Sequence, residues 1–178
     1  MPNAGPLPEE LAQLHRKDLI EIYEHFSPRL YSYAIRLLGQ SDLAEECVAE
    51  TFSRFLQILE KGGGPSDNLS ACLYRMAHNW ITDYYRQESP VEKLESEMPS
   101  DPLNNPTAVV TKKMERERVR SALLQLTPEQ RQVIMLRFFE DFPHEEIGAS
   151  IGKTAAASRA LQHRALIRLQ ELLIEPEV

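Results

Sequence analysis

An all-α fold, two small helical domains joined by an acidic, Pro-rich linker, is predicted by three features of this 178-residue chain. Apolar residues recur at three- and four-residue intervals through most of its length, the spacing of amphipathic helices rather than strands. That pattern breaks over residues 88–107, where Pro90, Pro99, Pro102 and Pro106 accompany Glu88, Glu92, Glu95, Glu97 and Asp101. A short helix, a tight turn and a long helix then close the chain in helix-turn-helix order. These limits define a leader over residues 1–16, a helical domain over 17–88, a linker over 89–111 and a helix-turn-helix domain over 112–178.

Each element has its own signal. Pro2, Gly5, Pro6 and Pro8 oppose regular structure and predict a mobile leader. Helical patterning starts with Ile20, Tyr23 and Phe26 (or Ile22 and Phe26), continues through Leu30, Tyr31, Ala34, Leu37 and Leu38, and stops at Gly39 as C-cap. Ser41 opens a second helix that runs to about Glu60, with Leu43, Cys47, Val48, Phe52, Phe55, Leu56 and Leu59 as its stripe. Asp42, Glu45, Glu46 and Glu50 lie off that stripe. They suit a dipole-matched, solvated surface and equally a partner-docking face.

The helix breakers concentrated in residues 61–68 form a loop. The third helix carries the stripe Leu69, Cys72, Leu73, Met76, Ala77, Trp80, Ile81 and Tyr84, and on its other face a polar row of Arg75, His78, Asn79, Thr82, Asp83 and Arg86 beside Tyr85. Such a row is compatible with plain solvation and with nucleic acid, because Asn, His and Arg bond base edges and phosphates while tyrosines offer stacking surfaces. After the linker, Met114, Val119, Leu123 and Leu126 anchor a helix over 109–126. Thr127, Pro128 and Gln130 then predict a capped restart, with Thr127 as N-cap, Pro128 in the first helical position and Gln130 closing a capping box. Val133, Ile134, Leu136, Phe138 and Phe139 carry that helix to about Glu140, and Phe142-Pro143 breaks it. A short helix over 144–150 ends at Gly152, and Thr154 caps a last helix whose buried stripe is Leu161, Ala165, Leu169, Leu172 and Leu173.

Composition removes several classes of function. With 20 basic against 27 acidic residues the net charge is −7, and 42% hydrophobic with 26% charged residues is the balance of a packed globular chain. No apolar run approaches the roughly 18 residues that span a bilayer, and the N-terminal residues lack a signal-peptide pattern, so a cytoplasmic location is expected. Cys47 and Cys72 fall in apolar stripes and read as buried thiols. The five histidines are scattered away from zinc-ligand spacing, which predicts no metal, and no phosphate-binding loop, nucleophile elbow or dinucleotide turn is present. No catalytic residue and no cofactor is expected. One stretch is strongly basic: residues 153–168 hold Lys153, Arg159, Arg164 and Arg168 with His163 and no acid, at the start of the last helix, which points to DNA.

Two separated segments resemble the compact, extracytoplasmic-function type of bacterial sigma factor within the sigma-70 family. Ala44-Glu45-Glu46-Cys47-Val48-Ala49-Glu50-Thr51-Phe52 is similar to the stretch by which that family docks on core RNA polymerase. Residues 73–86, from Leu73-Tyr74-Arg75 through Asn79 and Asp83 to Arg86, are similar to its promoter-melting helix. Leu126-Thr127-Pro128-Glu129-Gln130-Arg131, Glu146-Ile147 and His163-Arg164-Ala165-Leu166 are similar to its C-terminal signatures. The resemblance implies core-polymerase contacts at Asp42, Glu45, Glu46, Glu50, Thr51 and Phe52. It implies minus-10 contacts at Ser66, Asp67, Asn68, Arg75, His78, Asn79, Asp83 and Arg86, and minus-35 contacts at Lys153, Thr154, Arg159, His163 and Arg164. Ala49, Ala156, Ser158 and Gln87-Glu88 depart from the family pattern. The implied partners are core RNA polymerase, promoter DNA and an anti-sigma factor, with no small-molecule substrate. Two other readings stay open on the residues alone: a stand-alone helix-turn-helix regulator, and a helical adaptor that touches no DNA.

Overall fold

The computed structural model describes residues 16–63, 68–87 and 106–174. Among them there are seven helices and no strand: α1 (Arg16–Leu38), α2 (Ser41–Glu60), α3 (Leu69–Gln87), α4 (Pro106–Leu124), α5 (Pro128–Ile134) running on into a π-helical turn (Met135–Phe139), α6 (His144–Ile151) and α7 (Ala155–Ile174). Residues 1–15 of the predicted leader and residues 89–105 of the predicted linker lie outside the described residues, while Arg16, predicted in the leader, already starts α1. The helix after the linker starts at Pro106, earlier than the apolar pattern indicated. Proline suits that first position, where its fixed φ is helical and its missing N–H has no helical partner to lose.

Helices α1, α2 and α3 pack on one another around Leu30, Tyr33, Ala34 and Leu37 of α1, Ala44, Cys47 and Phe55 of α2, and Leu69, Leu73, Ala77 and Ile81 of α3, all buried. Pro28 sits inside α1 and deletes one backbone hydrogen bond, and burial of Phe26 and Leu30 on either side carries the helix through. Gly39 ends α1 at φ +71°, as predicted, and its N–H bonds the Ile35 carbonyl at 2.9 Å. Ile20, Tyr23 and Leu56, expected in the stripes, stay exposed.

In the second domain α7 lies against α4, α5 and α6. The capping box forms as predicted, with the Gln130 N–H on Thr127 Oγ1 and the Thr127 N–H on Gln130 Oε1, both at 3.2 Å. Val133, Ile134, Met135, Leu136, Ile147, Leu161 and Ala165 are its buried core. The chain does stay helical to Phe139, but the last turn widens to the π form, leaving Phe138 and Phe139 exposed and Glu140 turned toward the first domain. Met114 and Val119 are exposed rather than anchoring, since α4 is buried only through its last turns, at Arg120, Ala122 and Leu123.

The two domains are packed together, α3 on α6 and α1 on α4. The junction is largely polar. Tyr74 Oη donates to Glu140 Oε2 at 2.6 Å, Arg120 Nε to the Arg36 carbonyl at 3.1 Å, Arg131 to Thr82 Oγ1 at 3.2 Å and Ser150 Oγ to the Ala71 carbonyl at 3.4 Å. Arg36 reaches Glu140 at 3.8 Å and lies over the Phe139 ring at 4.7 Å. Gly39 forms the seat for Arg120: a Cβ there would meet the guanidinium carbon at 2.5 Å in addition to the strain of its positive φ. Gly39→Ala is therefore expected to destabilise the chain by about 1–3 kcal/mol in urea unfolding; unchanged stability would remove Arg120 from its seat beside this glycine.

Candidate nucleic-acid interface

Three candidate surfaces follow from the elements that carry them. On α2, Asp42, Glu45 and Glu46 are exposed and Glu50 is half-exposed, bonded to Arg54 at 3.1 Å. Thr51 is 1% exposed with its hydroxyl on the Cys47 carbonyl, and Phe52, in keeping with its place in the apolar stripe, is buried against Tyr23, ring centroids 4.9 Å apart. Both fall one turn along the helix from Cys47 and Val48, and through these contacts both help to set the helix. Cys47 and Cys72 are buried thiols, and burial pushes the Cys47 thiol up to about 12.

On α3, Asn79, Asp83 and Arg86 are exposed and Arg75 is half-buried, so the outward row exists. His78 is the exception, 1% exposed at the junction between domains. Its Nε2 lies 2.9 Å from the Pro128 carbonyl, which can only accept, and its Nδ1 lies 2.7 Å from Tyr33 Oη. The ring is therefore the neutral Nε2–H tautomer, donating to Pro128 and accepting from Tyr33. Desolvation, then the charge of Arg131, bring its pKa down from 6.5 to about 3. Asn68 holds the start of the helix in place, since its side-chain oxygen caps α3 by accepting the Ala71 N–H at 2.7 Å. Ser66 and Asp67 lie outside the described residues.

Periodicity hid the reason for His78. A helix with one apolar stripe reads as having one covered face, yet Ala71, Tyr74 and His78 are also buried, by Pro128, Glu140 and Ser150 of the other domain. The result is a cleft of about 650 Å³ whose walls include Arg75, Asn79, Asp83 and Arg86 on one side and Glu129, Gln132 and Gly152 on the other. Residues that the sequence left without a role build this junction: Tyr33, Arg120, Arg131, Glu140 and Ser150. The one available signal was their polarity at positions otherwise holding core residues.

Lys153 and Thr154 just ahead of α7, and Arg159, His163 and Arg164 in its first half, are all exposed, with the Thr154 hydroxyl capping the helix through the Ala157 N–H at 3.1 Å. Two of the cations face acids from neighbouring helices, Lys153 with Glu129 at 3.6 Å and Arg159 with Glu145 at 3.4 Å. The turn before α7 depends on glycine twice. Gly152 takes φ +68°, and Gly148 lets α6 approach so closely that a Cβ there would stand 2.7 Å from the Lys153 carbonyl oxygen. His144 Nδ1 lies 2.9 Å from the buried Ser158 hydroxyl and ties the two helices across that turn. Among the described residues no cluster of His, Cys, Asp or Glu could hold a metal ion, and no helix is long and apolar enough to cross a membrane.

Comparison with known proteins gives two family matches, "Sigma-70 region 2" over residues 22–90 and "Sigma-70, region 4" over residues 122–171. The chain is 24% identical over 162 residues to RNA polymerase sigma factor YlaC of Bacillus subtilis, covering 88% of this chain and 92% of that protein. It is 34% identical over 136 residues to RNA polymerase sigma-E factor of Streptomyces antibioticus, covering 74% and 69%. Among solved structures it is similar to the sigma factor RpoE in complex with the anti-sigma factor NepR from Bartonella quintana, with TM-score 0.63, 24% identity, and 90% and 99% of the two chains covered. Gly148→Ala tests the turn between α6 and α7. Helix propensity alone favours alanine by about 1 kcal/mol, but the backbone clash reverses the sign, and a net loss of about 1–2 kcal/mol in urea unfolding is expected; a gain in stability would show that the two helices do not meet at this glycine.

Proposed function

The chain belongs to the sigma-70 family of RNA polymerase sigma factors, as a member of the extracytoplasmic-function type, and from that premise we propose which of its surfaces carry each step. The function is to bind core RNA polymerase and to direct promoter recognition and opening at the start of transcription. The domain limits that fit the reading are 17–88 for polymerase and minus-10 binding and 112–178 for minus-35 binding. Core polymerase docks on the acidic face of α2 through Asp42, Glu45, Glu46 and Glu50. Arg75, Asn79, Asp83 and Arg86 on α3, with the loop ahead of it, hold the minus-10 strand, and Lys153, Thr154, Arg159, His163 and Arg164 read the minus-35 element. The protein carries out no reaction itself. Unstacking a base costs a few kcal/mol, and the energy comes from contacts to the flipped and stacked bases. Such a protein works in the cytoplasm, where core polymerase and chromosome are.

The observation that carries this assignment is one chain holding both an exposed acidic helix face and a helix-turn-helix led by exposed cations. The same structure also defines a closed state. Elements centred about 25 base pairs apart lie roughly 85 Å apart along a duplex at about 3.4 Å per step, whereas here the Asn79 row and Glu129, itself 3.6 Å from Lys153, line one cleft. Promoter binding therefore requires the domains to separate, within a reach of up to about 60 Å for the chain between Gln87 and Pro106. An anti-sigma protein that holds the closed state is the expected inhibitor.

Two outcomes test the assignment. Glu46→Lys with Glu50→Lys is expected to weaken holoenzyme formation by about tenfold or more, read by capture of core polymerase with a folded variant; undiminished capture would refute docking on α2. Arg159→Ala is expected to lower discrimination between intact and scrambled minus-35 sequences by about 1–3 kcal/mol, read in run-off transcription. An equal loss on both templates would make Arg159 a phosphate contact.

A further inference from the structure

We propose that His78 is a proton-sensitive latch between the two domains: the neutral ring holds the closed state, and uptake of one proton releases it. The latch rests on the closed state described above and goes beyond it by naming the group that controls it. His78 is the point at which three helices meet. Tyr33 of α1 donates to its Nδ1, its Nε2 donates to the carbonyl at the start of α5, and α3 supplies the ring itself. A neutral imidazole meets both demands at once. An imidazolium cannot, because Nδ1 would then carry a hydrogen toward the Tyr33 hydroxyl, whose own hydrogen would need a new acceptor at a residue 0% exposed.

The surroundings oppose the added charge. From α5, Arg131 is 4% exposed, bonds Thr82 through one nitrogen, and has a buried Nε with no partner. No carboxylate among the described residues pairs with it, so protonated His78 would be a second cation beside an uncompensated one. From α2, the Cys47 thiol stays neutral and Arg54 adds positive charge to the wall of the cleft. Along α3 itself Arg75, Asp83 and Arg86 line that cleft, and Glu129 faces it from α5. Just after the π-helical turn, Glu140 is spent on Tyr74 and Arg36. From α6, Ser150 presents a hydroxyl, bonded to the Ala71 carbonyl.

The sign follows. The closed-state pKa lies below the ordinary imidazole value of 6.5, so closure is at full strength above that value and weakens as pH falls through it. One proton taken up on opening makes the open-to-closed ratio rise about tenfold between pH 7.5 and 5.5. Glu140 and Glu146, whose pKa values burial raises from 4.5, work in the opposite direction, favouring closure when they protonate in more acidic solution.

The test is small-angle X-ray scattering of the full chain at constant ionic strength from pH 7.5 to 5.5, comparing wild type with His78→Gln, whose amide can donate to Pro128 but does not titrate, and with His144→Gln as a control outside the junction. A wild type that is compact at pH 7.5 and opens by about tenfold, a flat profile for His78→Gln and a retained slope for His144→Gln are expected. Should His78→Gln fail to fold, Tyr33→Phe serves instead: it removes the hydroxyl that opposes the second ring proton in the closed state, so the closed form accepts the proton more readily and opening should move to lower pH. A wild type that stays compact throughout, a slope that survives in His78→Gln, or a Tyr33→Phe profile unshifted overturns the latch and leaves the closed state standing. A chain already extended at pH 7.5 overturns both.

Discussion

Helix α3 has to satisfy two neighbours at once, and the rest of the architecture depends on how it does so. Leu73, Ala77 and Ile81 face α1 and α2, while Ala71, Tyr74 and His78 are covered by the second domain. The first contact is apolar and permanent in character, since each fully buried Leu or Ile contributes about 1.5–3 kcal/mol. The second uses hydroxyls, a guanidinium and an imidazole set against carbonyls. On that second side the buried residues run beside Arg75, Asn79, Asp83 and Arg86, which stay on the wall of the cleft between the domains.

The chemistry of the junction fits a contact that must be undone. A hydrogen bond of this kind contributes a net 0.5–1.5 kcal/mol or so, because each group recovers water when the domains part. The buried Arg131, with an unsatisfied nitrogen and, among the described residues, no carboxylate opposite, subtracts from that sum. A greasy interface of the same extent would have left a large apolar face exposed on release, and with it a route to aggregation. Here separation uncovers polar groups that are already compatible with solvent or phosphate.

Much of this was legible in the amino-acid order, and what was not has one origin. The capping box at Thr127, the reversal at Gly39, the cap at Thr154 and the exposed cations of α7 are local matters, decided within a few residues, and each was found where the sequence put it. His78 was read as an outward residue because its surroundings come from elsewhere in the chain. His78 follows the spacing of the outward row perfectly well, and only the position of Pro128, fifty residues later, buries it. The π-helical turn was likewise invisible, since Phe138 and Phe139 continue the apolar pattern although they end up exposed.

The order of the elements along the chain has its own result. The first bundle is finished at Gln87, when about half of the 178 residues have yet to be made. At translation rates of about 5–20 residues per second, the second domain follows roughly 5–20 s later. Pro128, Glu140 and Ser150, which cover His78, Tyr74 and Ala71 of α3, all belong to that later half. Each newly synthesised molecule therefore passes through a form in which this side of α3 is bare before the second domain can first cover it.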